Sequence, residues 1–148
     1  MRIRDATHRD LPRIMEIERL AFDHPWSLDS FIRELSLPFS RLVVASSGKI
    51  ECEFLTGYLC RWMVADECHI LNIAVHPKMR RSGVGFDLIS DAIAEAKANE
   101  TQIVTLEVRR SNLPARGLYR KFHFEERRLR HNYYGPGEDA IVMELKIS

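Results

Sequence analysis

Leu71-Asn72-Ile73-Ala74-Val75-His76-Pro77-Lys78-Met79-Arg80-Arg81-Ser82-Gly83-Val84-Gly85-Phe86 is the stretch around which the rest of the chain can be ordered. An apolar, strand-like run ends at a His-Pro turn. A short basic loop carrying two glycines follows, and then a helix begins. Gly83 and Gly85 lack Cβ atoms, so the backbone there can take positive φ and admit a ligand closely. Successive amides and the positive end of the helix suit a phosphate or pyrophosphate, with Arg80 and Arg81 beside them. Spelling excludes two common phosphate loops: no Gly-Lys-Ser/Thr closes a Walker loop, and the third glycine of a dinucleotide fingerprint is absent. Taken alone, the pattern also fits an ordinary strand–loop–helix connection.

Upstream, residues 2–6 alternate as a short first strand. Thr7 or Asp10 can cap a helix with Pro12 in its first turn, in which Leu11, Ile14, Met15 and Phe22 are expected to face inward. Asp23-His24-Pro25-Trp26 breaks that helix. Ser27 can cap a second, where Leu28, Phe31, Ile32 and Leu35 recur at helical spacing. Residues 41–46 read as a strand, Ser47-Gly48-Lys49 as a turn, and 50–64 as a strand or long bent pair with Gly57 marking a bulge. Residues 68–75 form the strand that enters the glycine loop.

Downstream, Val84, Leu88, Ile89, Ala92, Ile93 and Ala96 make an amphipathic helix ending near Asn99. Residues 101–108 are a β-branched strand, and a helix between two strands implies a right-handed parallel crossover. Ser111 or Asn112 then caps a short helix carrying Leu118, Tyr119 and Phe122. Residues 124–134 and 139–145 close the chain as an antiparallel pair around Gly135-Pro136-Gly137. The economical reading is one α/β domain over residues 1–148, a mixed central sheet with flanking helices.

At 148 residues the chain can bury a sizeable core, and 45% hydrophobic with 29% charged residues suits a globular protein. No apolar run approaches bilayer length and no signal core follows Met1-Arg2-Ile3-Arg4, so the expectation is a cytoplasmic protein without membrane attachment. The three cysteines, Cys52, Cys60 and Cys68, form no close pair, and the six histidines show no metal-ligand spacing. Neither a disulfide framework nor a metal site is expected. A formal net charge of +1 argues against a dedicated nucleic-acid binder. The basic run from Arg109 to Arg130 reads chiefly as solvated surface.

Arg-x-x-Gly-x-Gly at a helix head resembles the acetyl-CoA pyrophosphate loop of the GNAT acetyltransferase family. Further patches fit in order. Glu107-Val108-x-x-Ser111-Asn112, then Ala115 and Leu118-Tyr119, resemble the coenzyme and catalytic segment of the bacterial ribosomal-protein alanine N-acetyltransferases. Pro25-Trp26-Ser27, Arg127-Arg128, Asn132-Tyr133-Tyr134 and Glu138-Asp139-Ala140 resemble that subfamily in particular, so the likeness covers nearly the whole chain. It implies a single GNAT-like domain with acetyl-CoA as acetyl donor and no metal. Arg81, Ser82, Gly83, Val84, Gly85 and Phe86 would hold the pyrophosphate. Ile73, Ala74 and Val75 would pair with the pantetheine arm and supply an oxyanion amide, and Asn112 would reach the cofactor.

The resemblance further implies transfer to an N-terminal alanine of small-subunit ribosomal protein eighteen, with no direct nucleic-acid partner; the oligomeric state is left open. Glu107, on an apolar strand, is expected to be a partly buried carboxylate with a raised pKa acting as base, and Tyr119 to protonate the leaving thiol. A structural salt-bridge role for Glu107 and a core role for Tyr119 remain open on the residues alone. Direct attack in a ternary complex is preferred to an acyl-cysteine. A GNAT acting on a small amine or an internal lysine, and a silent acyl-CoA-binding module, are the rivals. The chain departs from the family at His123, where glycine is usual, so a residue with a Cβ must end that helix.

Overall fold

The computed structural model describes residues 1–147. Seven strands form a mixed sheet in the order β1-β2-β3-β4-β5-β7-β6. The strands are β1 (Arg2–Asp5), β2 (Ser40–Ser47), β3 (Phe54–Val64), β4 (Glu67–Val75), β5 (Ile103–Arg109), β6 (Glu125–Gly135) and β7 (Glu138–Lys146). The helices are α1 (Leu11–Ala21), α2 (Leu28–Ser36), α3 (Val84–Ala98) and α4 (Leu113–Lys121). The fold is thus the expected α/β class. Two compact units are distinguished, Met1–Trp62 with Asn72–Ala92, and Met63–Leu71 with residues 93–147.

In the first unit β1, β2 and β3 pair antiparallel. Leu42, Val43, Val44, Leu59, Ile14, Ile17, Phe31, Leu88 and Ile89 form its buried core. Asp10 stands at the N-cap position of α1, but its side chain turns back to accept from the Thr7 amide at 2.8 Å and does not cap the helix. Ser27 caps α2 by accepting from the Ser30 amide at 3.1 Å.

Three local expectations are corrected. Phe22 does not face inward from α1: the helix ends at Ala21, Phe22 is extended (φ −130°, ψ 140°), and Ile17 and Glu18 are buried instead. On α2 Phe31 and Glu34 turn inward, leaving Leu28 and Ile32 exposed. Residues 50–64 are not one strand. A 3₁₀ turn over Ile50–Cys52 precedes β3, with Ile50 81% exposed, so no core face holds it extended.

The bulge lies beside Gly57, as predicted. Ala45 pairs with Gly57 but Ser46 with Leu55, so Thr56 is the extra residue. A Cβ on Gly57 would stand 2.8 Å from the Ala74 carbonyl oxygen and 3.1 Å from Val84 Cγ1. The glycine therefore lets β3 approach β4 and the base of α3.

In the second unit β4 runs parallel to β5, with Glu67 to Ile70 opposite Ile103 to Leu106, and β5 and β6 flank β7 antiparallel. Helix α4 starts at Asn112, whose Oδ1 accepts from the Ala115 amide at 3.2 Å. It ends with His123 in the left-handed region (φ 71°), its amide donating to the Arg120 carbonyl at 2.9 Å.

Gly57→Ala should lower stability by about 1–3 kcal/mol through backbone overpacking. Gly117→Ala, in a helix interior with nothing within 4 Å of an added Cβ, should instead raise it by roughly 0.5–1 kcal/mol. Denaturant unfolding of both variants checks the pair of signs.

Candidate active site

The end of β4 that lies in the first unit, from Asn72 to Val75, delivers the glycine loop. The His76 amide donates to the Thr56 carbonyl at 2.8 Å, fastening the strand's end to the bulge. A 3₁₀ turn, Pro77–Met79, follows, and His76 Nδ1 accepts from the Lys78 amide at 3.1 Å. Ser82 Oγ donates to the Met79 carbonyl. Arg81 and Gly83 have φ of 66° and 86°. Nothing lies within 4 Å of a Cβ built on Gly83.

The first helical bond of α3 runs from the Asp87 amide to the Gly83 carbonyl at 3.0 Å. The Val84, Gly85 and Phe86 amides therefore precede the intrahelical ladder and form the positive end of a 15-residue helix. Gly85 lies inside α3, so of the two glycines only Gly83 takes positive φ, because helical geometry demands negative φ. Ile73 and Val75 are half-buried in β4 and Ala74 is buried.

The second unit carries the titratable cluster. Glu107 near the end of β5 is largely buried, with a side-chain exposure of 14%. Its Oε2 lies 2.8 Å from His69 Nε2 on β4, and its Oε1 accepts from Arg130 Nη1 on β6 at 3.3 Å. These partners overturn the expected rise in pKa. The His69 hydrogen bond, aided by its charge and by Arg130, outweighs burial and holds the carboxyl below the ordinary glutamate range.

Tyr119 on α4 is buried, its ring 5.8 Å from that of Phe124. Burial, with Tyr134 adding to it, pushes its phenol well above the usual tyrosine value. Tyr134 is itself pushed up to about 12, chiefly by burial, then by Tyr133 and Glu107. Tyr134 thus senses the Glu107 charge and in turn acts on Tyr119. Asn112 is exposed and caps α4.

His69, Arg130 and Tyr134's coupling were not read from the sequence as parts of a Glu107 cluster. His69 stands opposite Thr105 in the parallel register, two residues before Glu107 on the same face of β5. Periodicity alone does not give a register, so that pairing becomes visible only in the sheet. Cys68 is fully buried. Among the described residues no group of three His, Cys, Asp or Glu side chains could hold a metal ion, and no helix is long and apolar enough to cross a membrane.

The glycine loop heading α3 offers the free amides of a helix N-terminus, a geometry suited to an anionic group. The profile of the acetyltransferase (GNAT) family matches residues 11–124, and the chain belongs to that family. It is 35% identical over 142 residues (94% of this chain, 93% of the relative) to the ribosomal protein bS18-alanine N-acetyltransferase of Escherichia coli (strain K12). A Bacillus subtilis (strain 168) protein named provisionally for that activity is 38% identical over 149 residues (99% of this chain, 95% of the relative). The crystal structure of the ribosomal-protein-S18-alanine N-acetyltransferase from Escherichia coli superposes with a TM-score of 0.87 at 33% identity, covering 99% of this chain and 94% of that one. The chain is accordingly an acetyl-CoA-dependent acetyltransferase.

Gly83→Ala forces a Cβ into left-handed backbone, at a cost of roughly 1–2 kcal/mol. It should weaken coenzyme A binding, read by calorimetry, while leaving the helical circular dichroism signal unchanged.

Proposed function

We propose that this enzyme acetylates the N-terminal alanine α-amine of ribosomal protein bS18, using acetyl-CoA in a ternary complex and acting in the cytoplasm. The acceptor is the one named for relatives matched over almost the whole chain. Residues 1–148 act as one N-acetyltransferase domain in this reading, supported by a family match that enters both units. The observation that carries the chemistry is the contrast between two sheltered groups: the Glu107 carboxylate is bonded by His69 and Arg130, whereas the Tyr119 phenol is buried beside Phe124.

The Val84, Gly85 and Phe86 amides, with Arg81, Ser82 and Gly83, bind the coenzyme pyrophosphate. The amides of Ile73, Ala74 and Val75 align the pantetheine arm and stabilise the developing oxyanion. Asn112 contacts the coenzyme from the head of α4. Bound acetyl-CoA supplies the activated thioester.

An acceptor α-amine has a pKa of roughly 8, so about a quarter is already neutral at pH 7.5. Glu107 is too weak a base to drive the whole deprotonation. It captures the ammonium and, directly or through water, receives the proton as the amine attacks. Tyr119 donates a hydrogen bond to the leaving sulfur and passes its proton across as the C–S bond breaks. The burial of Cys68 supports direct attack.

A mass-spectrometric assay with two peptides tests the reading. A lysine-free peptide with a free N-terminal alanine should gain one acetyl group, and an N-blocked peptide with one internal lysine should gain none. Lysine acetylation would overturn the acceptor assignment. No product with coenzyme A still bound would favour a small-amine enzyme or a silent module.

Glu107→Gln and Tyr119→Phe should each lower kcat by about 10²–10⁴-fold. Because the Glu107 carboxyl is depressed, it stays ionised throughout the neutral range and is lost as a proton acceptor only on acidification through its lowered pKa. The kcat/KM profile between pH 5 and 9 should therefore rise with the acceptor amine alone, roughly to a plateau above pH 8. A second inflection near pH 6 would contradict the assigned electrostatics.

A further inference from the structure

Arg130 touches two things at once. Its Nη1 donates to Glu107 Oε1 at 3.3 Å, and its guanidinium carbon lies 4.4 Å from the centroid of the Tyr133 ring. Tyr133 is 47% exposed, and its ring meets that of Tyr134 edge-on at 5.0 Å. Adjacent side chains on a regular strand point to opposite faces. Here Asn132 adopts a φ of 55° and the β6–β7 register shifts between Arg130 and Gly135, so the two rings can pack together. Asn132 is pinned in that geometry: its amide donates to Asp139 Oδ1 at 2.9 Å and its Oδ1 accepts from the Gly137 amide at 2.8 Å.

We propose that Arg130, seated on the Tyr133 ring, is a positioning residue that orients the Glu107 carboxylate and makes its proton affinity depend on the β6–β7 hairpin. An arginine at 42% side-chain exposure has freedom to leave a carboxylate, and exposed ion pairs of that kind are weak. The ring face removes much of that freedom, because a planar guanidinium is attracted to it while its edge still donates. The other groups facing Glu107 are His69 from β4 and Tyr134 from β6, and its register partner on β7 is the uncharged Val142. The inference rests on Glu107 being the proton acceptor of the proposed reaction.

The test is a carboxyl ¹³C NMR titration of the full-length protein labelled at glutamate, with Glu107→Gln identifying the signal. Arg130→Met should raise the Glu107 midpoint by about half a pH unit. Tyr133→Leu should raise it in the same direction, Tyr133→Phe should leave it in place because the ring face survives, and the Arg130→Met/Tyr133→Leu double variant should go no further than Arg130→Met. Arg130→Lys, which keeps the charge but not the planar fork, should fall between wild type and Arg130→Met.

An immobile midpoint in Arg130→Met, or equal shifts in Tyr133→Phe and Tyr133→Leu, would overturn the proposal. The alanine-peptide assay run alongside separates the two readings. Shifted midpoints without peptide acetylation sink the acceptor assignment and leave the positioning role, whereas acetylation with an immobile midpoint sinks the positioning role alone.

Discussion

A carboxylate taken out of water must be compensated, and the first unit is arranged around that constraint at Glu18. This side chain is 1% exposed. Its Oε1 accepts from the Tyr58 hydroxyl and from Asn72 Nδ2 at 2.8 Å, and its Oε2 from the Trp26 amide at 2.8 Å. One carboxylate thus joins α1, the α1–α2 connection, β3 and β4. Removing any donor would leave a buried anion short of a partner, which costs far more than the bond itself contributes. Trp26, Phe31 and Tyr58 pack around it, with ring centroids 5.2 and 5.7 Å apart. Asn72 immediately precedes Ile73, so the same bonds locate the strand that leads into the glycine loop.

The loop then inherits its shape from sheet irregularity. The extra residue at Thr56 supplies a carbonyl to His76, and Gly57 lets β3 come within contact of the Ala74 carbonyl. Any side chain at position 57 would collide with that carbonyl. The bulge therefore sets where β4 ends, and the end of β4 sets where the uncapped amides of α3 begin.

Electrostatics in the second unit follows from pairing rather than from burial alone. Glu107 and Tyr119 are both largely removed from water, yet their proton affinities move in opposite directions. The carboxylate gains His69 and Arg130 and stays charged, while the phenol packs against Phe124 and stays neutral. Desolvation raises both pKa values, and only specific donors reverse it for Glu107. The basic run from Arg109 to Arg130 is correspondingly occupied: Arg116 and Arg120 hold Glu126, Arg109 holds Glu138 and Arg130 holds Glu107.

The order of elements, the crossover between β4 and β5, the caps at Ser27 and Asn112, the left-handed His123 and the bulge beside Gly57 were all legible in the chain. Each depends on residues close in sequence: a hydroxyl or amide before an apolar period, a glycine within a strand, a β-branched run after a helix. Glu107 and Tyr119 were singled out by the resemblance to the acetyltransferase family, not by residue type and spacing alone. The protonation of Glu107 could not be read there, because it depends on His69 and Arg130, 38 and 23 residues away in the chain. Nor could the inward turn of Glu18 be seen, since a glutamate on a helix reads as surface until its three donors are placed. Local propensity and periodicity thus determined which elements form and in what order. Strand register and long-range pairing, which carry no mark in local sequence, decided which charges are buried and what each one does there.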